Sequence, residues 1–189
     1  MSHTARYQSE LLSLLGQIDL EKVDQSIEWF REARESGRRI FVFGNGGSAS
    51  TASHFACDMV KGASYGRAER FRILALTDSM STLTAYANDV GYECIFAEQL
   101  KNFAEDSDIV MGISGSGNSS DVVRAVELAN ALGCRTIGLT GRDGGRLATA
   151  ARLNLHVPER HMGRIEDVHL IICHMISYSF MEELPAISV

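Results

Sequence analysis

The chain has 189 residues, of which 45% are hydrophobic and 22% charged, and a formal net charge of −6. That length suits one domain with a sizeable core, and the apolar and charged fractions are those of a folding chain rather than a disordered one. The negative charge argues against direct nucleic-acid binding or an anionic membrane surface, so any phosphate site must be local.

The N-terminal MSHTARYQSELLSLL has neither the basic start nor the long apolar core of a signal peptide. No apolar run approaches the roughly 18 residues of a membrane span, and a cytoplasmic protein is expected. From Tyr7 to Glu35, Leu11, Leu12, Leu15, Ile18, Val23, Ile27 and Phe30 recur at helical spacing, which predicts one or two amphipathic helices. Helices placed ahead of the first strand must bury that face somewhere, and a second subunit offers the place. Cys57, Cys94, Cys134 and Cys173 are far apart and form no CxxC pair, which predicts reduced structural thiols rather than a zinc ribbon or disulfide framework.

Beyond residue 37, short apolar runs alternate with helical stretches: RRIFVFG (38–44), FRILALT (71–77), DIVMGIS (108–114), RTIGLTG (135–141) and LNLHVP (153–158). The first four are continuous rather than alternating, as strands of a parallel sheet covered on both faces require. The expectation is a single α/β domain over 1–189: N-terminal helices over 1–36, then a three-layer doubly wound sheet of five buried parallel strands over 37–189. Ligands in such sheets bind beyond the carboxyl ends of the strands, which selects the loops GNGGSAS, TDSMST, SGSGNSS and TGRDGG.

GNGGSA at 44–49 fits the degenerate dinucleotide pattern G-x-G-x-x-G/A. The acid expected at the end of the second strand, roughly 20 residues on, is missing, because Asp78 comes much later and Glu69 precedes the strand. A Walker loop is excluded because no GK[ST] follows the glycines. The loop Ser114-Gly115-Ser116-Gly117-Asn118-Ser119-Ser120 has another chemistry: hydroxyls, close glycine backbone and the free N–H groups of a helix start make a cradle for one phosphate. The competing reading is a helix cap from Ser119 or Ser120, although three serines interleaved with two glycines exceed what a cap needs.

GNGGSAS, HFACD, ANDVGYECIFAEQL, GISGSGNSSDVVRAVELA, IGLTGRDGG and RIEDVHLIICH are spread along nearly the whole chain from Arg38 to His174. In this combination the sequence resembles the sugar isomerase (SIS) domain family, in its phosphoheptose isomerase branch. The resemblance implies a five-stranded parallel sheet in flavodoxin-like order, an N-terminal helical segment used in a homotetramer, and a phosphosugar on the serine loop. It also implies that sedoheptulose 7-phosphate is converted to D-glycero-D-manno-heptose 7-phosphate through a metal-stabilised enediolate.

His54 and Asp58 are four residues apart and share a helix face, as do Glu166, Leu170 and His174 in the last helical stretch. Each set has an ordinary reading as well, a satisfied histidine and a solvent-facing carboxylate. By resemblance, His54, Asp58, Glu166 and His174 would surround a divalent metal, usually zinc, with Asp58 as base and His174 as acid or partner base. Asn45, Gly46, Gly47, Ser48, Asn88, Asp89, Ser114, Gly115, Ser116, Ser119 and Glu166 would bind substrate, and Thr140 and Asp143 would close the pocket side. For these polar and small residues the competing role is turn chemistry. His169 is expected to be structural, and His161 sits where it could touch substrate.

Three departures bear on function. Asp58 and Glu166 stand where similar enzymes carry Glu and Gln, and Gly62 and Gly163 stand where they carry Arg and Asp. Lys61 could replace that Arg only from a position about 100° round the helix. These changes leave open an isomerase of another phosphosugar, or a non-catalytic SIS protein of the kind that regulates replication; only an isomerase needs the four ligand types.

Overall fold

Each apolar run forms a strand because its neighbours supply cover. The computed structural model describes residues 1–182, and the end of the expected domain, 183–189, lies outside them. The strands are β1 (Arg39–Gly44), β2 (Arg72–Ala75), β3 (Ile109–Ser114), β4 (Arg135–Thr140) and β5 (Leu153–His156), all parallel in the order β2-β1-β3-β4-β5. This is the flavodoxin-like order, and it places the reversal of strand order, the topological switch point, between β1 and β3.

Eight α-helices are present among the described residues: α1 (His3–Leu15), α2 (Leu20–Glu35), α3 (Gly47–Cys57), α4 (Met80–Asp89), α5 (Ala97–Phe103), α6 (Ser120–Ala131), α7 (Gly145–Ala150) and α8 (Met162–Glu182). None of them is long and apolar enough to cross a membrane. Alternation along β1 sends Ile40 and Val42 to one core with Phe30, Phe55 and Ile172, and Phe41 and Phe43 to the other with Phe96, Val122 and Val126. One layer therefore contains α1, α2, α3 and α8, and the other is built mainly on α5, α6 and α7.

The expectation of five buried strands holds for β1, β3 and β4 and is corrected at the edges. In β2, Arg72 and Leu74 are exposed, and in β5, Asn154 and His156 are only half-buried. An edge strand has a neighbour on one side only, and these two are covered on a single face.

Two glycines explain how β1 hands over to α3. A Cβ at Gly44 would lie 2.7 Å from both the Ile113 carbonyl oxygen and the Ser48 side chain, so only glycine lets helix and strand meet there. Gly46, the N-cap residue of α3, has φ 56, a conformation that costs most side chains free energy. Immediately after α3 the chain widens into a single π-helical turn, Asp58–Gly62, of the kind often found at functional sites.

Candidate active site

The serine loop closes on itself. Ser114 Oγ lies 3.0 Å from Ser119 Oγ and 3.3 Å from Ser116 Oγ, and the Asn118 N–H donates to Ser116 Oγ at 3.2 Å. Ser119 occupies the N-cap of α6, yet its hydroxyl makes no cap hydrogen bond. The helix-cap reading of the serines therefore fails for Ser119, whose hydroxyl joins the serine cluster instead.

Asp121, which the sequence did not single out, stands in the first turn of α6. Its buried carboxylate accepts from Asn45 Nδ2 at 2.8 Å. Burial pushes its pKa up, and hydrogen bonding, that from Asn45 first, pulls against the shift. Asn45 is engaged at both ends, because Tyr92 donates its hydroxyl to Asn45 Oδ1 at 2.8 Å. An acid in the first turn of a helix is the signal that could have flagged Asp121; the part played by Tyr92 depends on a contact 47 residues away in sequence.

The metal-type cluster forms where α3 meets α8. His54 and His174 approach with Nε2 atoms 3.2 Å apart, and Asp58 Oδ2 lies 3.4 Å from the first and 3.7 Å from the second. Tetrahedral ligands at about 2.0–2.1 Å from zinc stand about 3.4 Å from one another, so the three atoms are spaced as one ion would require. His54, Asp58 and His174 are the group that could hold a metal among the described residues. The π-helical turn begins at Asp58 and sets the start of this carboxylate's approach to α8.

Glu166, expected as the fourth ligand, is not in that group. It stands two turns before His174, about 12 Å along the axis, and its carboxylate lies against the first turn of α3, where a Cβ on Gly47 would meet Glu166 Oε1 at 2.8 Å. Gly47 thus makes room for a carboxylate at the positive end of a helix.

Other expected substrate residues are scattered. Gly46 and Asn45 line a cavity of about 260 Å³ with Tyr92 and Phe96, Ser48 is buried behind it, and Gly115 packs against Met162 and Ile165. Asn88 and Asp89 are exposed at the end of α4, where Asn88 Nδ2 donates to Asp89 Oδ1 at 2.7 Å, and neither lines the Asn45 cavity or the serine loop. Thr140 is corrected from a pocket wall to a core contact: its hydroxyl donates to Asn154 Oδ1 at 2.9 Å and meets His156 Nδ1 at 3.0 Å, fully buried. Asp143 does face a cavity, one of about 410 Å³ shared with Ser116, Asn118, Arg142 and Arg160.

His169 is structural, as expected. It is buried, and its Nε2 lies 3.2 Å from the Thr140 carbonyl oxygen. His161 packs edge-on against Tyr7 with ring centroids 5.6 Å apart, and a Cβ on Gly163 would meet Tyr7 Oη at 3.1 Å and His161 Cε1 at 3.3 Å. Gly163 therefore accommodates α1, whose Tyr7 donates to Asp167 Oδ2 at 2.6 Å. At Gly62, a Cβ would run into the Met181 side chain, with Sδ at 2.8 Å; this glycine admits the last turn of α8.

Comparison with known proteins agrees with the fold. Residues 6–141 match the family model described as SIS domain. The chain is 38% identical to the phosphoheptose isomerase of Syntrophotalea carbinolica over 181 residues, 94% of this chain and 92% of that one. It is 43% identical to the phosphoheptose isomerase of Geobacter sulfurreducens over 153 residues, 79% of this chain and 78% of the relative. The solved structure of phosphoheptose isomerase from Neisseria gonorrhoeae superposes with a TM-score of 0.87 at 32% identity, covering 95% of this chain and 97% of that one.

Proposed function

Because this chain belongs to the SIS-domain family, in its phosphoheptose isomerase branch, we propose that it converts sedoheptulose 7-phosphate to D-glycero-D-manno-heptose 7-phosphate. The observation that carries this reading is the meeting of His54 and Asp58 with His174 at the spacing of a metal site. Two imidazoles and a carboxylate suit zinc. When bound, such an ion would act as a Lewis acid toward the oxyanion that develops on the sugar.

This chain's own residues do the rest. The phosphate rests on Ser116, Ser119 and the neighbouring loop backbone, which fixes the distance from the phosphate to the reacting carbons. Asp58 turns Oδ2 to the imidazoles and uses Oδ1 as the base that moves a proton between C1 and C2 by way of an enediolate. His174 supplies and accepts the hydroxyl proton. Glu166, held against Gly47, is assigned to the sugar rather than to the ion.

We assign α1 and α2 to the interface of a homotetramer, supported by the exposed Leu12 and Leu20 and by exposed Val60, Met175 and Tyr178 beside the metal-type cluster. A cytoplasmic location is consistent with four free cysteines. A second reading, an isomerase of another phosphosugar, draws support from Gly62 and Gly163, which are filled here by Met181 and by Tyr7 with His161.

The test is NMR detection of aldose formation from sedoheptulose 7-phosphate, with zinc added and with the metal chelated. Zinc-dependent turnover is expected. Inert zinc-loaded protein that still binds this sugar phosphate would overturn the substrate assignment in favour of the second reading, and turnover undiminished by chelation would overturn the metal's part.

A further inference from the structure

A phosphate monoester is close to a dianion at neutral pH, and the serine loop supplies hydroxyls but no cation. The carboxylate of Asp121, in the first turn of α6, is buried next to that loop and accepts from Asn45 Nδ2 at 2.8 Å. Neutral donors beside a buried acid make a poor dianion site, so positive charge must come from elsewhere.

It is available beside the loop. Arg142 and Arg160, with one acid, Asp143, line the same 410 Å³ cavity as Ser116 and Asn118, the two arginines coming from opposite ends of the β4-to-α8 part of the chain. Both are held by one residue. The Glu159 carbonyl accepts from the Arg142 N–H at 2.8 Å, and Glu159 Oε1 accepts from the Arg160 N–H at 2.5 Å and the His161 N–H at 2.8 Å. Glu159 Oε2 in turn accepts from Arg164 Nε at 2.9 Å, and Arg164 reaches Glu10 on α1 at 2.6 Å. These hydrogen bonds, Arg164 first, hold the Glu159 carboxyl down at about 2. Arg142 has φ 53, a left-handed backbone that a non-glycine residue keeps only where its surroundings impose it.

We propose that Arg142 and Arg160 form a two-cation clamp for the substrate's phosphate group, facing the serine loop across this cavity, with Glu159 as the residue that positions both. This rests on the reading that the serine loop receives the phosphate. The clamp gives the site affinity for the phosphorylated end of any sugar it accepts, leaving discrimination among sugars to the other end.

Isothermal titration of the zinc-loaded protein with inorganic phosphate, sedoheptulose 7-phosphate and unphosphorylated sedoheptulose tests it at fixed salt. Arg142→Gly keeps the backbone conformation while deleting the cation, and Arg160→Ala does the same from an exposed position. Each is expected to weaken both phosphate-bearing probes about tenfold and to leave sedoheptulose unchanged. Glu159→Gln leaves the carbonyl that holds Arg142 in place and loosens only the side-chain contacts at Arg160 and Arg164, so it is expected to weaken phosphate in the otherwise intact protein and to have no effect in the Arg160→Ala background, a coupling that a merely structural role would not produce. If Ser116→Ala weakens phosphate while both arginine variants match the unaltered protein, the clamp is overturned and the serine-loop reading stands. If Ser116→Ala binds phosphate as well as the unaltered protein, the serine-loop reading falls and the clamp falls with it.

Discussion

His169 ties the stability of α8 to pH. It lies on α8 five residues before His174, is 1% exposed, and has Nε2 3.2 Å from the Thr140 carbonyl oxygen. A carbonyl only accepts, so Nε2 carries the proton and Nδ1 is a buried acceptor without a partner. Burial pushes the pKa from the ordinary 6.5 down to about 4, opposed by the hydrogen bond to Thr140 and assisted by nearby His156. Above 6.5 both folded and unfolded chains hold this imidazole neutral, and it adds no pH dependence. As pH falls below 6.5 the unfolded chain takes up a proton that the folded chain refuses until about 4, so stability falls through that window.

The full shift corresponds to roughly 3 kcal/mol, most of which is lost by pH 4.5. His169→Gln removes the titration while keeping an amide donor for Thr140. Urea unfolding followed by the fluorescence of the single tryptophan, Trp29, on metal-free protein at one concentration, compares the two between pH 7.5 and 4.5. The unaltered protein is expected to lose roughly 2–3 kcal/mol more than the variant over this range. Parallel stability curves would refute the argument, because every other titrating group is common to both.

Two further outcomes follow from the site. Asp58→Asn preserves shape and removes the base, so turnover should fall about 10²–10⁴-fold while phosphate affinity holds; a variant with undiminished kcat would sink the assignment of Asp58. Gly62→Arg restores the side chain found in similar enzymes, but its Cβ meets Met181. Because a methionine end can bend away, the cost should be small, about 1 kcal/mol, with no gain in kcat/KM. Urea midpoints and initial rates check both parts, and a more active variant would show that Gly62 faces substrate after all.

The sequence by itself determined the periodic and the local parts of this protein. Continuous apolar runs such as RIFVFG and IVMGIS could only be covered strands, and helices between them required parallel crossovers. Four-residue spacing placed His54 and Asp58 on one face, and the interleaved serines and glycines marked the loop that follows β3. What the tertiary structure decided is which groups meet across the chain. It brought His174 to His54 over 120 residues while leaving Glu166 against Gly47, because eight residues of helix separate the two by about 12 Å whatever stripe they share. It turned the Ser119 hydroxyl to Ser114 rather than to the backbone of α6, joined Asp121 to Asn45, and turned Thr140 inward to Asn154 and His156. It also gathered Arg142 and Arg160 on Glu159. Spacing along one helix or loop is written in the chain's covalent geometry; the pairing of separate elements is fixed only when two cores close on opposite faces of the sheet and bring distant side chains within hydrogen-bonding reach.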